Sequence, residues 1–363
     1  MTSPRLATAV PAAAPAASAP PAAKKRDAYF DNAKFVTAVL VVLGHVWAEF
    51  GDSHAVDAAY KAVYAFHMPV FVFITGYFSR SLMRNPQKFR TMLPTLVVPY
   101  LIFIVLYRGQ IVLLLGKPFD LNEFLMPHFL MWFLVAMVCW RLSAPLWDHL
   151  RHPVAVAVVG SLLSGMWIFG EEPTMSRMAG LLPFFVLGLM IEPERLQVLR
   201  RPAARWAGAA VLVAAVPAIY VWESGLLGVP GINMDLLWWN SSYRDMGYSA
   251  LVGMGGRAAA MLLAVILGAA FLAVIPRRHT WFTEMGTRTM YVYLLHGLVV
   301  KTFDYTGVLA EPVLHTPLGI VGVTLASVAL ALLLSTGAVQ RVTRPAIEPK
   351  ARWLLKPQHG RGT

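Results

Sequence analysis

A lysine and three histidines lie within strongly hydrophobic stretches of the sequence. Lys34 and His45 are eleven residues apart in the first stretch, and His67 and His296 lie in later ones. On an α-helix this spacing gives about 1100° of rotation and roughly 16 Å of rise, so Lys34 and His45 share one face. An ionisable side chain inside a membrane is costly to bury and indicates a functional site.

These histidines fit three kinds of chemistry. Imidazole titrates near neutral pH, so His45 could serve as a general base, with Glu49 four residues later orienting its ring. Histidines and a glutamate inside a helix bundle could instead relay protons in a transporter. Metal binding is the third option, but the sequence has neither an HExxH motif nor paired cysteines, and we predict no metal site.

The three histidines are expected at similar depths in the membrane. With 1.5 Å of rise per residue, His45 lies about 20 Å from the start of its helix, His67 about 14 Å below the opposite face, and His296 about 12 Å into its span. We therefore expect the three to line one cavity. Pro69 removes a helix hydrogen bond beside His67, which indicates either a local opening or an ordinary proline kink.

Basic residues supply candidate binding positions. Arg80, Arg84, Lys88 and Arg90 form a dense cluster after the second hydrophobic stretch. Arginine can bind phosphate through two parallel hydrogen bonds, so this cluster suits a phosphate-bearing ligand. It is equally typical of a cluster that only sets membrane orientation.

Two further binding candidates lie elsewhere. Arg177 begins another apolar stretch, and the nearby Glu171 and Glu172 make a surface ion pair the alternative to a binding role. Trp238 and Trp239 are adjacent in a long polar segment, residues 223–254. They indicate either an aromatic belt at the membrane surface or a lid that stacks on a sugar.

The composition is that of a membrane protein. Hydrophobic residues make up 57% of the chain and charged residues 14%, against about 25% charged residues in ordinary soluble domains. The net charge of +12 is spread in short clusters between apolar runs, which indicates membrane orientation and argues against nucleic-acid binding. Cys139 is the single cysteine, so no intrachain disulfide is expected.

The apolar runs predict an all-α, polytopic membrane protein with about ten transmembrane helices. Each run is near the ~20 residues that a helical span needs. Basic residues concentrate in alternate loops and acidic residues in the others, which places both termini in the cytoplasm. The predicted spans are 31–50, 58–79, 93–115, 124–146, 153–170, 176–192, 203–222, 255–275, 288–304 and 317–339.

The chain divides into three predicted parts. Residues 1–26 start with an Ala- and Pro-rich segment that cannot form a core, and we predict a disordered cytoplasmic tail. Residues 27–340 form the transmembrane domain. Residues 341–363 form a basic cytoplasmic tail.

Four short motifs follow one another along the chain. They are Lys34 with ten residues before His45; Phe66-His67-Met68-Pro69; Trp132-Phe133-Leu134, preceded by His128 and followed later by Arg177; and Gly286-x-x-Thr289-x-x-x-Tyr293-x-x-His296. In this order they resemble the acyltransferase 3 family of integral membrane acyltransferases, most closely its fucose 4-O-acetylase-like branch. Lys34 stands where many members have arginine.

The resemblance implies an enzyme that moves an acyl group, commonly acetyl, from acyl-CoA to a hydroxyl of a sugar, glycan or related small molecule. It implies an acyltransferase for groups other than aminoacyl groups, located as a multi-pass protein in the plasma membrane. Acyl-CoA is then a co-substrate, with no bound cofactor and no nucleic-acid partner. The alternative is a secondary transporter or exporter that uses intramembrane His and Glu as a proton relay.

The resemblance and the residues together give a predicted site. His45 would be the general base or would carry the acyl group briefly. The predicted catalytic residues are His45, Glu49, His67 and His296. The predicted substrate-binding residues are Lys34, Arg80, Arg90, Trp132, Arg177 and Trp239.

Overall fold

The protein is built from α-helices joined by turns and short 3-10 or π segments. The computed structural model describes residues 26–120, 126–167, 173–228 and 230–349, and within them there is no β-strand, which confirms the all-α class. The first helices are α1 (Ala28–Trp47), α2 (His54–Tyr64), α3 (His67–Arg84), α4 (Val98–Leu115), α5 (Trp132–Asp148), α6 (Pro153–Ser164) and α7 (Thr174–Met190). The later ones are α8 (Pro193–Leu196), α9 (Pro202–Glu223), α10 (Met234–Trp238), α11 (Ala250–Val274), α12 (Thr289–Tyr305), α13 (Pro317–Leu334) and α14 (Gly337–Ile347). Of the two predicted tails, residues 1–25 and 350–363 lie outside the described residues.

The number of membrane spans differs from the sequence prediction. Among the described residues, seven helical segments are long and apolar enough to cross a membrane, or eight if the pair bent by 103° after Met190 is one span. Two of the ten predicted spans have no counterpart in this set: 153–170 falls on α6, which has 12 residues, and 288–304 falls on α12, which has 17. The count of ten and the cytoplasmic position of both termini therefore stay predictions.

Two ends of the bundle can be distinguished by their contents. We call one end the terminal end: it contains the start of α1 and the end of α13. Both contact the segment before α12, since Gly286 packs against the Asp31 carbonyl and Arg288 donates to the Ser335 carbonyl at 3.2 Å. We call the other end the loop end: there the last turn of α1 and residues 237–240, which follow α9, line the same cavity.

The second predicted span lies within one candidate span, His54–Met83, whose helix is locally interrupted between α2 and α3. Phe66 has φ −133° and ψ −21°, which interrupts the helix, and His67 begins α3. Pro69 is thus in the first turn of α3, where its missing N–H would have no helical partner. The His67 Nδ1 atom donates to the Val63 carbonyl at 2.9 Å, which satisfies one of the carbonyls left open in the last turn of α2. The break therefore fixes the direction of the His67 ring.

Two glycines bring α3 and α7 into close contact. A Cβ atom on Gly76 would collide with the Phe185 carbonyl, and one on Gly188 would collide with the Phe73 carbonyl. Small residues commonly permit such close approach of membrane helices. The contact holds the His67 helix against the Arg177 helix.

The start of α1 is anchored by a buried asparagine. The Asn32 Nδ2 atom donates to the carbonyls of Pro276 and Arg278 at 2.8 and 3.1 Å. Its Oδ1 atom accepts from the hydroxyls of Thr280 and Thr283 at 3.1 and 2.7 Å. This network fixes the helix that carries Lys34 and His45 against the segment before α12.

Candidate active site

A cavity of about 450 Å³ lies at the loop end of the bundle. Helices α1, α2, α3, α5 and α7 and the segment around α10 contribute its walls. Five residues of the predicted site line it, namely His45, His67, Trp132, Arg177 and Trp239. Its aromatic lining consists of Tyr60, Tyr64, Phe71, Phe129, Trp132, Phe133, Trp238, Trp239 and Tyr293.

His45 faces this cavity from the last turn of α1. Among the described residues, neither of its ring nitrogens has a hydrogen-bond partner. Its ring instead packs against Phe129, with centroids 4.6 Å apart, and against His296, with centroids 5.5 Å apart. An imidazole that is held by ring contacts and keeps its nitrogens available can exchange a proton with a molecule in the cavity.

The other two histidines are fixed by their own helices. His67 Nδ1 donates to Val63, and His296 Nδ1 donates to the Val292 carbonyl at 2.8 Å. In the neutral rings this leaves each Nε2 as an acceptor. His67 lines the cavity, whereas His296 is fully buried behind His45, and its Nε2 has no partner among the described residues.

Two cavity residues have a backbone conformation that bulky side chains rarely adopt. Phe129 has φ 54° and Trp239 has φ 58°, and they are the two non-glycine residues with positive φ in the described part of the chain. Each such residue costs of order 1–3 kcal/mol, and these residues concentrate at active sites and ligand-binding sites. Both strained residues line the same cavity, although they are far apart in the sequence.

Contacts on each side retain these strained residues. The Tyr293 hydroxyl donates to the Leu130 carbonyl directly after Phe129, and Lys301 lies 4.8 Å from the centre of the Phe129 ring. Trp239 is 2% exposed and meets Phe184 edge to face, with ring centroids 5.8 Å apart.

Arg177 contributes a positive charge to the cavity wall. It is half-buried at the start of α7, and its guanidinium lies 5.3 Å from the centre of the Trp132 ring. The predicted alternative partners Glu171 and Glu172 lie outside the described residues. A guanidinium on an aromatic face offers hydrogen-bond donors to an oxygen that develops negative charge.

Glu49 is placed differently from the prediction. Helix α1 ends at Trp47, so the four-residue helical spacing from His45 to Glu49 is not maintained, and no hydrogen bond joins the two among the described residues. Partial burial, followed by the nearby Asp304 carboxylate, raises the pKa of the Glu49 carboxyl. Glu49 does not line the cavity, and its charged neighbours Asp304 and Lys301 belong to α12.

The predicted donor-binding residues lie away from the cavity, and none of them lines it. Lys34 forms an ion pair with Asp31 at 2.6 Å, near the start of α1. Arg80 donates to the Leu189 carbonyl at 3.0 Å and stacks on the Tyr77 ring. Arg90 lies in the 3-10 segment Pro86–Thr91.

Several residues of the cavity are not among those selected from the sequence as site residues. Tyr60, Tyr64 and Phe129 line it, as does Tyr293 of the fourth motif, and the Trp238 Nε1 atom donates to the Tyr60 hydroxyl at 3.0 Å. The detectable signal was weak, because aromatic residues are common in any membrane helix. Among the described residues, no three His, Cys, Asp or Glu side chains converge as metal ligands, and the absence of a metal stays a prediction.

A known family matches most of the chain. The family model for the acyltransferase 3 domain, described as an acyltransferase domain, matches residues 27–336. The chain belongs to the acyltransferase 3 family. Membership supports acyltransferase activity in a multi-pass membrane protein. No curated protein and no solved structure matches the chain significantly.

For an acyltransferase 3 protein, the cavity at His45 is the natural candidate for the reaction site. Acyl transfer needs a base for the attacking hydroxyl, a donor to the oxyanion and a space that excludes bulk water. His45, Arg177 and nine aromatic side chains line this one cavity, which makes it the candidate site. The matched segment ends before α14, so it includes every lining residue.

Proposed function

We propose that this protein is a membrane O-acyltransferase that moves an acetyl group from acetyl-CoA to a hydroxyl of a sugar, glycan or related small molecule. The acyltransferase 3 match supports the acyl chemistry. The observation that carries the choice of site is His45, a cavity-facing imidazole without a hydrogen-bond partner among the described residues. The resemblance in four motifs supports the fucose 4-O-acetylase-like branch and a plasma-membrane location.

In the proposed reaction, His45 takes the proton of the acceptor hydroxyl as its oxygen attacks the thioester carbonyl. The C–O bond forms, the C–S bond breaks, and the CoA thiolate recovers a proton from His45. Arg177, on the cavity wall, donates to the oxyanion of the tetrahedral intermediate. In a second version of the mechanism, a His45 nitrogen carries the acetyl group before the acceptor receives it.

The neighbouring predicted residues have supporting roles in this proposal. His296, with Nδ1 committed to Val292, packs against the His45 ring and limits its orientation through this ring contact. His67 lines the same cavity and, in this proposal, accepts a hydrogen bond from the acceptor molecule through Nε2. Glu49 acts at longer range through its charge near α12.

The donor is proposed to enter from the terminal end of the bundle, which we assign to the cytoplasm. Lys34, Arg80 and Arg90 supply positive charge there for the phosphates of CoA. The pantetheine arm then follows the face of α1 toward His45, over the roughly 16 Å expected from the helix rise. Val41 is the α1 lining residue nearest to Lys34 in sequence, so the arm passes it to enter the cavity.

The acceptor is proposed to occupy the loop-end cavity. Trp132 and Trp239 provide large flat faces, and Tyr60, Asn240 and His67 provide polar groups among them. Binding sites for small molecules commonly combine apolar walls with a few polar groups that fix orientation. A sugar ring, with its hydroxyls and its apolar C–H face, suits such a lining.

Incubation of the purified protein with isotope-labelled acetyl-CoA and a panel of glycans tests the proposal. Mass spectrometry should find labelled O-acetyl product with the unaltered protein and none with boiled protein. Substrate movement into vesicles without any acyl-CoA requirement would favour a transporter and contradict the proposal.

A further inference from the structure

A buried arginine, Arg257, lies beside the cavity, within α11. Arg257 is 1% exposed and lies about 10 Å along α11 from its first residue. Among the described residues, no carboxylate lies within ion-pair distance of it. A buried arginine in a membrane helix without a counter-charge is expensive, which indicates that its contacts serve a purpose.

Those contacts join α6 to residues 239–243, the segment that follows α10 and forms part of the cavity wall. The Arg257 Nη1 atom donates to the Ser161 carbonyl at 3.0 Å and to the Ser164 hydroxyl at 3.3 Å. Its Nη2 atom donates to the Ser241 carbonyl at 3.1 Å. Its guanidinium also lies 4.9 Å from the centre of the Tyr243 ring. One side chain thus fixes both partners.

Tyr243 strengthens the same junction. Its hydroxyl donates to the Leu162 carbonyl at 2.7 Å, and its backbone N–H donates to the Gly165 carbonyl at 2.7 Å. Gly165 and Gly253 leave the space for its ring, because a Cβ atom on either glycine would collide with that ring. The segment is therefore docked by matched shape as well as by hydrogen bonds.

The residues just before this junction are cavity residues. Trp239 and Asn240 line the cavity and directly precede Ser241, and Trp239 is one of the two strained aromatic residues. A tryptophan in the left-handed conformation persists only where its surroundings hold it there. The contact of Arg257 with the Ser241 carbonyl, two residues later, supplies such a restraint.

We propose that Arg257 is a positioning residue for acceptor binding, which holds Trp239 and Asn240 as a wall of the cavity by fixing Ser241 and Tyr243 against α6. This rests on the proposed function, in which the cavity receives the acceptor. Arg257 does not itself line the cavity, so it acts through these residues. Its loss should weaken acceptor binding and leave the acyl-CoA side unchanged.

Kinetics of Arg257→Met test the kinetic part of this proposal. The substitution keeps a long apolar stem and removes the three hydrogen bonds, so we expect KM for the acceptor to rise about tenfold, with KM for acetyl-CoA unchanged. Arg244→Ala is the matched control, because Arg244 is an exposed arginine of the same segment. An equal rise of both KM values, or no change in either, would overturn the proposal.

A labelling experiment tests the positioning directly and does not depend on catalysis. In a Cys139→Ser background, Asn240→Cys provides one thiol in the cavity wall, and its reaction with a polar maleimide is followed. We expect Arg257→Met to speed labelling several-fold, and Arg244→Ala to leave the rate unchanged. An unchanged rate in Arg257→Met would overturn the positioning role even if acetyl transfer is never observed, whereas faster labelling without any transfer would contradict only the proposed function.

A milder variant keeps the proposal testable if Arg257→Met does not fold. Tyr243→Phe retains the ring and removes only the hydrogen bond to Leu162, so the same two effects should appear at about threefold. The Arg257→Lys variant, which keeps the charge, should recover part of the acceptor affinity. If Tyr243→Phe changes neither the acceptor KM nor the labelling rate, the junction does not position the wall.

Discussion

The ionisable side chains at the two ends of α1 differ in whether they have hydrogen-bond or ion-pair partners. At the loop end, His45 faces a cavity of about 450 Å³ without a hydrogen-bond partner among the described residues. At the terminal end, Lys34 is bound by Asp31 at 2.6 Å and Arg80 by the Leu189 carbonyl at 3.0 Å. The proposed reaction site is therefore open to a ligand, whereas the proposed donor-binding side chains already bind groups of the protein itself.

This difference has a consequence for binding at the terminal end. Asp31 is 4% exposed and also accepts from Arg26, with both hydrogen bonds at 3.2 Å. A phosphate group that reaches Lys34 must therefore compete with a buried carboxylate. Removing the Asp31 carboxylate should therefore increase the affinity for the acyl donor, and removing Lys34 should decrease it. Substitutions at the loop end should instead change kcat.

The largest effect is expected from His45→Gln, which keeps a polar side chain of similar size and removes the base. General-base catalysis contributes about 10²- to 10⁴-fold, so kcat should fall by that factor while KM for acetyl-CoA stays within about twofold. Steady-state transfer of labelled acetyl groups measures both. His279→Ala is the control, because His279 is an exposed histidine outside the cavity. A near-normal kcat in His45→Gln would show that His45 is not the base, and the loop end would then no longer be the reaction site.

Lys34→Ala should have the next largest effect, at the other end of α1. Loss of one charge-assisted contact to phosphate should raise KM for acetyl-CoA about tenfold, with little change in kcat. A drop in kcat at unchanged KM would instead place Lys34 in the chemistry and merge the two ends into one site.

Asp31→Asn sharpens the comparison by a change of opposite sign. It removes the carboxylate that competes for Lys34, so KM for acetyl-CoA should fall about threefold. The double variant Asp31→Asn/Lys34→Ala provides the control, since Asp31→Asn should have little effect once Lys34 is absent. A rise in KM in the single variant would show that Asp31 orients Lys34 for the donor and does not block it.

The smallest effect is expected from Glu49→Gln, through pH-dependent stability. The raised pKa of Glu49 means that its ionised form is disfavoured in the folded protein. This penalty is absent when the carboxyl is protonated in both states and is complete above the folded-state pKa. The stability of Glu49→Gln relative to the unaltered protein should therefore increase slightly as the pH rises from about 4 to 7, measured as a difference in Tm. A relative loss of Tm over that range would contradict the pKa direction.

The helical character and much of the cavity could be predicted from sequence. Hydrophobic runs revealed the helices, and the 3.6-residue period placed His45 and Lys34 on one face of α1. His67, Trp132 and Arg177 were selected as intramembrane or motif residues, and the structure brings all three to the cavity of His45. Their roles stay proposals.

Other features depend on backbone geometry that a hydrophobic run does not reveal. The run through 58–79 predicts one span, and it lies within the candidate span His54–Met83, but the interruption of the helix at Phe66 is not readable from the run, nor is the end of α1 before Glu49. Phe129 owes its place to a positive φ, which side-chain type disfavours. Lys34 and Asp31 are three residues apart, so their pairing was readable from helical spacing and was missed.

The most direct test of the account is where the thioester lies in the bound protein. A structure with a non-hydrolysable acetyl-CoA analogue would locate the carbonyl carbon relative to the His45 ring. We expect that carbon in the loop-end cavity, within about 4 Å of a His45 nitrogen or one water away, with the CoA phosphates near Lys34. A carbonyl bound at the terminal end, out of reach of His45, would contradict the account.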